Sequence, residues 1–387
     1  MLDFTFTDEQ EMLRDTVRKF MQKEVSLDFV HQIDEKEEFP DELWQKMVSL
    51  GWTGLPFPEE YGGYGGSVID QAMIINELSR GLFVSGFVYL LTTCFGGNTL
   101  NVFGTEEQKK KYLTGISSGK YRWALALTEP DGGTDILGST KTIAMKDGAS
   151  YVAKGQKVYI SGADKADYFT LFARTDKNAE KHTKGFTLFI VDKKSPGIII
   201  RKMKKLGVKA CSACEVFFDD VRIPEENVIG QVGNGWYHLT DTLNNERITV
   251  AAFCLGNAQG ALDYAVKYAK ERRAFGKALG EIQVLQHRLA DVYMEIEMAQ
   301  LMLYKAAWLQ ANRKPVAVEG TMAKIACSEV SFKAAEVGMR LMAGAGYMME
   351  YPMQRYYRDA VLFLTAPISN DAGKNLIGQS LGFGRAY

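Results

Sequence analysis

Three regimes of hydrophobic spacing follow one another along the chain. From Thr7 to about Gln108 apolar residues recur at helical intervals, opening with Thr7-Asp8-Glu9-Gln10, where Thr7 can cap and Gln10 can reach back. Another helix opens at Asp41 and ends at Gly51, followed by the Gly/Pro-rich loop Pro56 to Gly66. Thr105-Glu106-Glu107-Gln108 starts one more helix, with Lys109-Lys110-Lys111 as its solvated face. The period then switches. Trp123 to Leu127, Ala149 to Ala153, Lys157 to Ile160, Tyr168 to Arg174, Phe186 to Val191, Gly197 to Arg201 and Glu215 to Phe218 are short β-branched or aromatic runs. Gly, Asp and Lys turns separate them, which predicts a small all-β domain. After Gly233-Asn234-Gly235 helical spacing returns, and Leu285, Leu289, Val292, Ile296, Ala299 and Leu303 predict a long helix with one buried face.

The order is therefore helices over 1–120, a β-domain over 121–233 and helices over 234–387, an α+β fold that is mainly α. A length of 387 residues suits two or three domains. The formal net charge of −1 leaves no electrostatic footprint for nucleic acid or an anionic membrane. No basic start precedes a long apolar run, and no stretch of about 18 uninterrupted apolar residues occurs. Five cysteines, an odd number, suit a reducing compartment, and the expectation is a cytoplasmic protein. Cys211 and Cys214 have metal-type spacing, but no second pair or nearby histidine accompanies them, so no metal is expected.

Candidate chemistry centres on Leu243-Asn244-Asn245-Glu246-Arg247-Ile248, an acid and a base beside the apolar run Ile248 to Ala261. A carboxylate there needs a partner or a task; a first-turn acid favoured by the helix dipole is the competing account. At the entry to the β-domain stands Leu127-Thr128-Glu129-Pro130-Asp131-Gly132-Gly133-Thr134-Asp135, and later Val158-Tyr159-Ile160-Ser161-Gly162-Ala163. Both offer hydroxyls and backbone amides on turns at strand ends. These are neutral donors of the kind a flavin ring or a thioester carbonyl needs.

Together with the domain order, these motifs resemble the acyl-CoA dehydrogenase family, whose T-E-P-x-x-G-S-D pattern matches Thr128 to Asp135 with Thr134 for Ser. The resemblance extends through Gly62-Gly63, Lys205-Leu206-Gly207, Phe218 to Pro224, Gly233 to Trp236, and Arg272-Arg273-Ala274-Phe275-Gly276-Lys277 followed by Gln283. It implies a helical domain, a β-barrel-like domain and a C-terminal four-helix bundle, assembled as a homotetramer with one FAD per subunit. By the same resemblance Thr128, Ser161 and Tyr159 would meet the flavin ring, and Thr134 the junction of flavin and substrate. Arg272, Phe275 and Gln283 would reach the rest of FAD across a subunit interface, Ser369 would also contact FAD, and Arg247 would lie near CoA. Family chemistry is removal of an α-proton by a carboxylate while the β-hydrogen leaves as hydride to flavin N5.

The sequence departs from the commonest pattern where relatives carry the base in Y-E-G-T after R-D-A. Arg358-Asp359-Ala360 is present, but Ala366, Pro367 and Ile368 replace the tyrosine, glutamate and glycine. Isovaleryl-CoA and long-chain dehydrogenases, and crotonobetainyl-CoA reductase-like proteins, resemble this chain in a Glu-Arg pair at the position of Glu246-Arg247. Glu246 is the expected base, or proton donor in the reductive direction, with Asp371 its rival. Burial should raise its pKa and Arg247 should lower it. Arg340 stands where relatives usually have Gln. Ala366 and Pro367 free volume for a branched, alicyclic or otherwise bulky acyl group. The expected function is an FAD-dependent acyl-CoA dehydrogenase or enoyl-CoA reductase working with an electron-transfer flavoprotein. The alternatives are a flavin oxidase or monooxygenase on the same scaffold, a ring-carbon dehydrogenation, or a silent paralogue.

Overall fold

The computed structural model describes residues 5–384, and helices of eight residues or more are numbered in chain order. α1 (Asp8–Glu24) begins where the capping pattern places it: Thr7 Oγ1 accepts the Gln10 amide, and Gln10 accepts the Thr7 amide in return. α2 (Leu27–Lys36), α3 (Asp41–Ser49), α4 (Val68–Gly81) and α5 (Phe83–Leu90) complete the N-terminal helices. α5 runs on into a π-helical segment, Leu91–Asn98, and a last turn, Thr99–Phe103. The span Phe83–Phe103 is long and apolar enough to cross a membrane, but 89% of its apolar window is buried inside the fold. It is a core helix whose glycines admit close neighbours: a Cβ at Gly96 would lie 2.4 Å from the side chain of Trp123 in the sheet. The ring of Phe57 would lie 2.0 Å from a Cβ at Gly97, so only glycine fits there.

The middle domain is an eight-stranded mixed sheet: β1 (Trp123–Ala126), β2 (Ile143–Asp147), β3 (Ser150–Ser161), β4 (Tyr168–Arg174), β5 (Phe186–Asp192), β6 (Ile198–Met203), β7 (Ala213–Pro224) and β8 (Val228–Ile229). The strand order is β6-β7-β3-β2-β4-β5-β8, with β1 parallel beside β4. Two expected runs, Ala149 to Ala153 and Lys157 to Ile160, are one continuous strand, β3, that bends through two register shifts against β7. β2 escaped the hydrophobic pattern because its residues from Met145 on face solvent. A half-exposed strand with Lys146 and Asp147 at its end carries little apolar alternation.

α6 (Gly235–Glu271), α7 (Gln283–Ala311) and α8 (Ala317–Met342) form the C-terminal bundle, with α9 (Met353–Leu362) and α10 (Asn370–Ser380) packed on α8. The stripe on α7 is buried as expected at Val292, Ile296, Ala299 and Leu303, each at most 2% exposed, while Leu285 and Leu289 are half-buried. α4 crosses onto α6, so N-terminal and C-terminal helices share one core.

Two motifs far apart in sequence close on each other. Arg358 donates to the Leu206 carbonyl at 2.9 Å and pairs with Asp34 at 2.7 Å, while Asp359 accepts the Val208 amide. Gly207 lies under this latch, where a Cβ would come within 2.3 Å of the Arg358 carbonyl. Burial pushes the Asp359 carboxyl up to about 6 despite that amide. The α7 stripe supports a first expected outcome. Leu303→Ala, at a fully buried site, should destabilise by about 2–5 kcal/mol, read as a lower melting midpoint. A loss under about 0.5 kcal/mol would place the core elsewhere.

Candidate active site

α6 starts at Gly235, so Glu246 sits about three turns inside the helix and no first-turn dipole effect accounts for it. Its residue is 6% exposed, and Glu246 Oε2 is buried with no hydrogen-bond partner. Desolvation pushes the carboxyl up to about 8, opposed by the positive charges of Arg247 and Lys324. Of the two opposing influences read from the sequence, burial wins. Arg247 is turned to its own helix, where it donates to Asn244 Oδ1 at 2.8 Å. A buried carboxyl with an unused oxygen and a raised pKa is poised to take or give a proton near neutrality.

Asn244 and Asn245, just before Glu246 on this helix, line a cleft of ≈ 680 Å³ between α4, the turn Thr99–Phe103, α6 and the loop that joins α7 to α8; Glu246 itself is outside its lining. Its walls are rich in amide side chains: Gln71, Asn98, Asn101, Asn244, Asn245 and Gln310, with Arg313 and Lys314 from the connecting loop. Asn98 Nδ2 bridges Asn245 Oδ1 at 2.8 Å and Gln71 Oε1 at 3.3 Å, and Gln71 donates on to Thr93. The π-helical turn makes this chain of amides reachable. It also releases the Phe95 carbonyl to accept from Thr170, whose Oγ1 in turn accepts from the Trp123 indole, tying helix to sheet.

The second part of the site lies at the end of β3. Between Lys157 and Ile160 the register against β7 shifts, and Val158 donates out of the ladder to the Thr128 carbonyl at 2.8 Å. Tyr159 takes φ 60°, unusual for an aromatic residue, and its ring is 61% exposed. The bulge therefore brings Thr128, Tyr159 and Ser161 to one strand end and aims the ring outward. A buried ion pair holds this corner: Lys157 Nζ donates to Glu129 Oε1 and to the Leu127 carbonyl, both at 2.8 Å. Glu129 also accepts the amides of Lys141 and Thr142. The hydroxyls drew attention in the sequence, yet the acid between them does the bracing, and its partner Lys157 heads the second motif.

The remaining residues fall into separate places. Thr134 is exposed on the loop after β1. Ala366 packs partly into the main core, and Ser369 caps α10 by accepting the Ala372 amide at 3.1 Å, so its hydroxyl already has a structural task. Arg272, Phe275 and Gln283 stand at an exposed hairpin (Arg273–Ala274 and Lys277–Ala278) and the start of α7. Phe275 and Gly276 both have positive φ, the geometry of a tight two-residue turn, and the Phe275 side chain is 93% exposed. Asp371 is a surface carboxylate, 94% exposed and paired with Lys374 at 3.3 Å. Sequence reasoning missed Lys324, a fully buried lysine in the otherwise uncharged run Gly320 to Ser328 of α8. A charge within such a run was the available signal.

The raised carboxyl of Glu246 sets a pH dependence. Below its ordinary value of 4.5 the group is neutral in folded and unfolded chains alike; as pH climbs toward 8 only the unfolded chain ionises freely, and the folded state loses stability. Glu246→Gln lacks this penalty. Its melting midpoint should equal that of the parent near pH 4.5 and exceed it by a few degrees at pH 9; an unchanged difference across that range would show that the carboxyl is solvated.

Three family models match in sequence order: the N-terminal, middle and C-terminal domains of acyl-CoA dehydrogenase, over residues 7–120, 124–221 and 233–367. The chain is similar to a short-chain-specific acyl-CoA dehydrogenase of Clostridium acetobutylicum, 40% identical over 93% of this chain and 94% of the relative. It is also similar to the CarC subunit of a caffeyl-CoA reductase-Etf complex of Acetobacterium woodii, 37% identical over 92% of this chain and 94% of that one. Among solved structures, butyryl-CoA dehydrogenase from Megasphaera elsdenii superposes with a TM-score of 0.95 at 35% identity, covering 99% of this chain and all of the other. Fold, domain order and sequence agree, and the chain belongs to the acyl-CoA dehydrogenase family.

Proposed function

We propose that this chain is an FAD-dependent oxidoreductase that interconverts an acyl-CoA and its α,β-unsaturated enoyl-CoA, with Glu246 as the group that takes or returns the α-proton. The observation that carries the reading is the unpartnered Oε2 of a buried carboxyl, since a buried polar oxygen without a partner is tolerated where a reacting atom can approach it. Pro367 has no acid to offer, and Asp371 points into solvent. Among the described residues of α6 and of the segment 364–371, Glu246 is the one buried carboxyl.

FAD fits the residues present. The bulged end of β3 offers the Thr128 and Ser161 hydroxyls and an outward aromatic, Tyr159, around a corner braced by Lys157 and Glu129. Arg272, Phe275 and Gln283 suit the pyrophosphate and adenosine of a cofactor held by a neighbouring subunit, and Thr134 suits the junction with substrate. Ser369 would reach FAD only through the lone pair or proton that its cap leaves free. When bound, FAD accepts the β-hydrogen as hydride in one direction and supplies it in the other. The chain's own contribution is to orient the thioester, exclude water from Glu246 and move the proton.

The amide-lined cleft complements the amide-rich arm of CoA, and Arg313 and Lys314 at its edge suit the phosphates. Arg247 also belongs to this CoA side. Two features bear on the acyl group. Ala366 and Pro367 leave width where relatives carry larger side chains. Two turns beyond Glu246 on the same helix face, Phe253 joins Phe83, Phe87 and Phe363 in one aromatic cluster, with ring centroids 4.4–5.8 Å apart. An acyl group closed off by this packed cluster and given width at Ala366 and Pro367 would be short and branched or alicyclic, in preference to long and straight.

An electron-transfer flavoprotein is the proposed electron partner, on the strength of the similarity to an Etf complex subunit. A homotetramer is the proposed assembly: α7 carries a second apolar face, with Met294, Met298, Leu301 and Trp308 each at least 45% exposed, alongside the projecting Phe275. All five cysteines are free and buried, which agrees with a cytoplasmic setting.

Anaerobic flavin reduction by straight, branched and alicyclic acyl-CoA thioesters tests the reading. The parent should bleach fastest with a short branched or alicyclic substrate, and Glu246→Gln should slow by about a hundredfold or more. A variant as fast as the parent would overturn the base; equal turnover of straight chains would overturn the acyl group; rapid reoxidation of the bleached flavin by oxygen, with peroxide formed, would indicate an oxidase.

A further inference from the structure

A second buried charge faces the same helix. Lys324 on α8 is fully buried, and its Nζ donates to the Ile368 carbonyl at 2.7 Å and to Asn370 Oδ1 at 2.8 Å. Asn370 is fixed in turn by Ser328 Oγ at 3.1 Å and Glu329 Oε1 at 2.8 Å. Lys324 thus binds the segment Ala366 to Asn370, the stretch that flanks the proposed acyl pocket. One turn earlier on α8, Gly320 meets Asn244, Arg247 and Ile248 of α6, its built Cβ lying 3.8–3.9 Å from their atoms. Lys324 therefore lies on the α8 face that meets the Glu246 region. Among the described residues no ion pair within 4.0 Å joins the two, so its charge reaches Glu246 through space and its hydrogen bonds go to the loop.

We propose that Lys324 is a positioning residue for the reaction: its buried ammonium pins the segment Ile368–Asn370 beside the site and supplies the positive field in which Glu246 can exist as a carboxylate. This rests on the assignment of Glu246 as the proton-transfer group, and goes beyond it by naming what makes that group usable. The groups around the pair are few. The π-helical segment contributes Cys94, whose thiol burial drives well above its ordinary range; α6 contributes Arg247 and Cys254; α8 contributes Glu329 behind Lys324. The loop offers no acid toward Glu246, because Asp371 is 94% exposed. Cations near Glu246 are thus Arg247, held by Asn244, and Lys324. Burial pulls the Lys324 ammonium down to about 8, opposed by Cys254, Glu329 and Glu246, so the lysine and the carboxyl titrate in the same range and each favours the charged form of the other.

The test reads the carboxyl directly. Infrared difference spectra across pH give the band of the protonated Glu246 carboxyl, assigned by its loss in Glu246→Gln. Lys324→Gln keeps a donor for the Ile368 carbonyl and removes the charge; Lys324→Met removes both; Asn370→Ala loosens the loop and leaves the charge. Both lysine variants should move the Glu246 titration upward by at least about one pH unit, with the acid limb of flavin reduction following it. Asn370→Ala should leave the titration in place and raise KM. Unmoved titrations in both lysine variants, or an equal shift in Asn370→Ala, would overturn the proposal; so would failure of both lysine variants to fold, which would make Lys324 a residue of the fold alone. If the titration moves while Glu246→Gln reduces flavin at the parent rate, the assignment of the base fails and the field of Lys324 stands.

Discussion

The desolvation of one carboxyl inside a helix interface organises this molecule. A side chain such as Glu246 would be rejected from a helical core unless something met its charge or made use of its proton. Here the nearest cations are Arg247 and Lys324, and neither forms a direct ion pair with it. The helix that carries it is almost wholly buried from Ile248 to Ala261, so the fold cannot relax by letting water in from that side. The result is a group that stays neutral over much of the physiological range yet sits close to its ionisation point.

The rest of the chain supplies what such a group needs to be useful. The sheet contributes an irregular strand end, where a bulge detaches Val158 and Tyr159 from β7 and couples them to Thr128. A regular ladder would have alternated these side chains across the sheet; the bulge and the Lys157–Glu129 pair collect them at one corner instead. The helices contribute a cleft whose amides hold one another in place through Asn98 and Gln71. The latch of Arg358 and Asp359 onto residues 206–208 binds the last helices to the first and to the sheet, which keeps these parts in register.

Most of the fold was legible because its signals are local. The capping box at Thr7, the strand runs and the α7 stripe each depend on spacing within a few residues, and each is found where the pattern puts it. β2 was not, because a half-exposed strand with a charged end carries too little apolar alternation. The π-helical turn was hidden for a different reason: its extra residue is stabilised by Thr170 and Trp123, far away in sequence. In the site, Glu246 stood out because an acid beside an apolar run is conspicuous and Pro367 empties the rival position. Lys157 and Lys324 did not, since their importance lies in burial and in partners 28 and 44 residues or more distant. Ser369 shows the converse. Its motif position suggested a cofactor contact, while the local backbone makes it a helix cap.

The most direct measurement is a crystal structure of the FAD-loaded protein with a redox-inert acyl-CoA analogue, read for which acid approaches the α-carbon. The account predicts Glu246 Oε2 in van der Waals contact with that carbon, roughly 3–3.5 Å away, with the CoA arm in the amide-lined cleft. An α-carbon that meets Asp371, a water or no acid at all, with Glu246 still buried and apart, would contradict it.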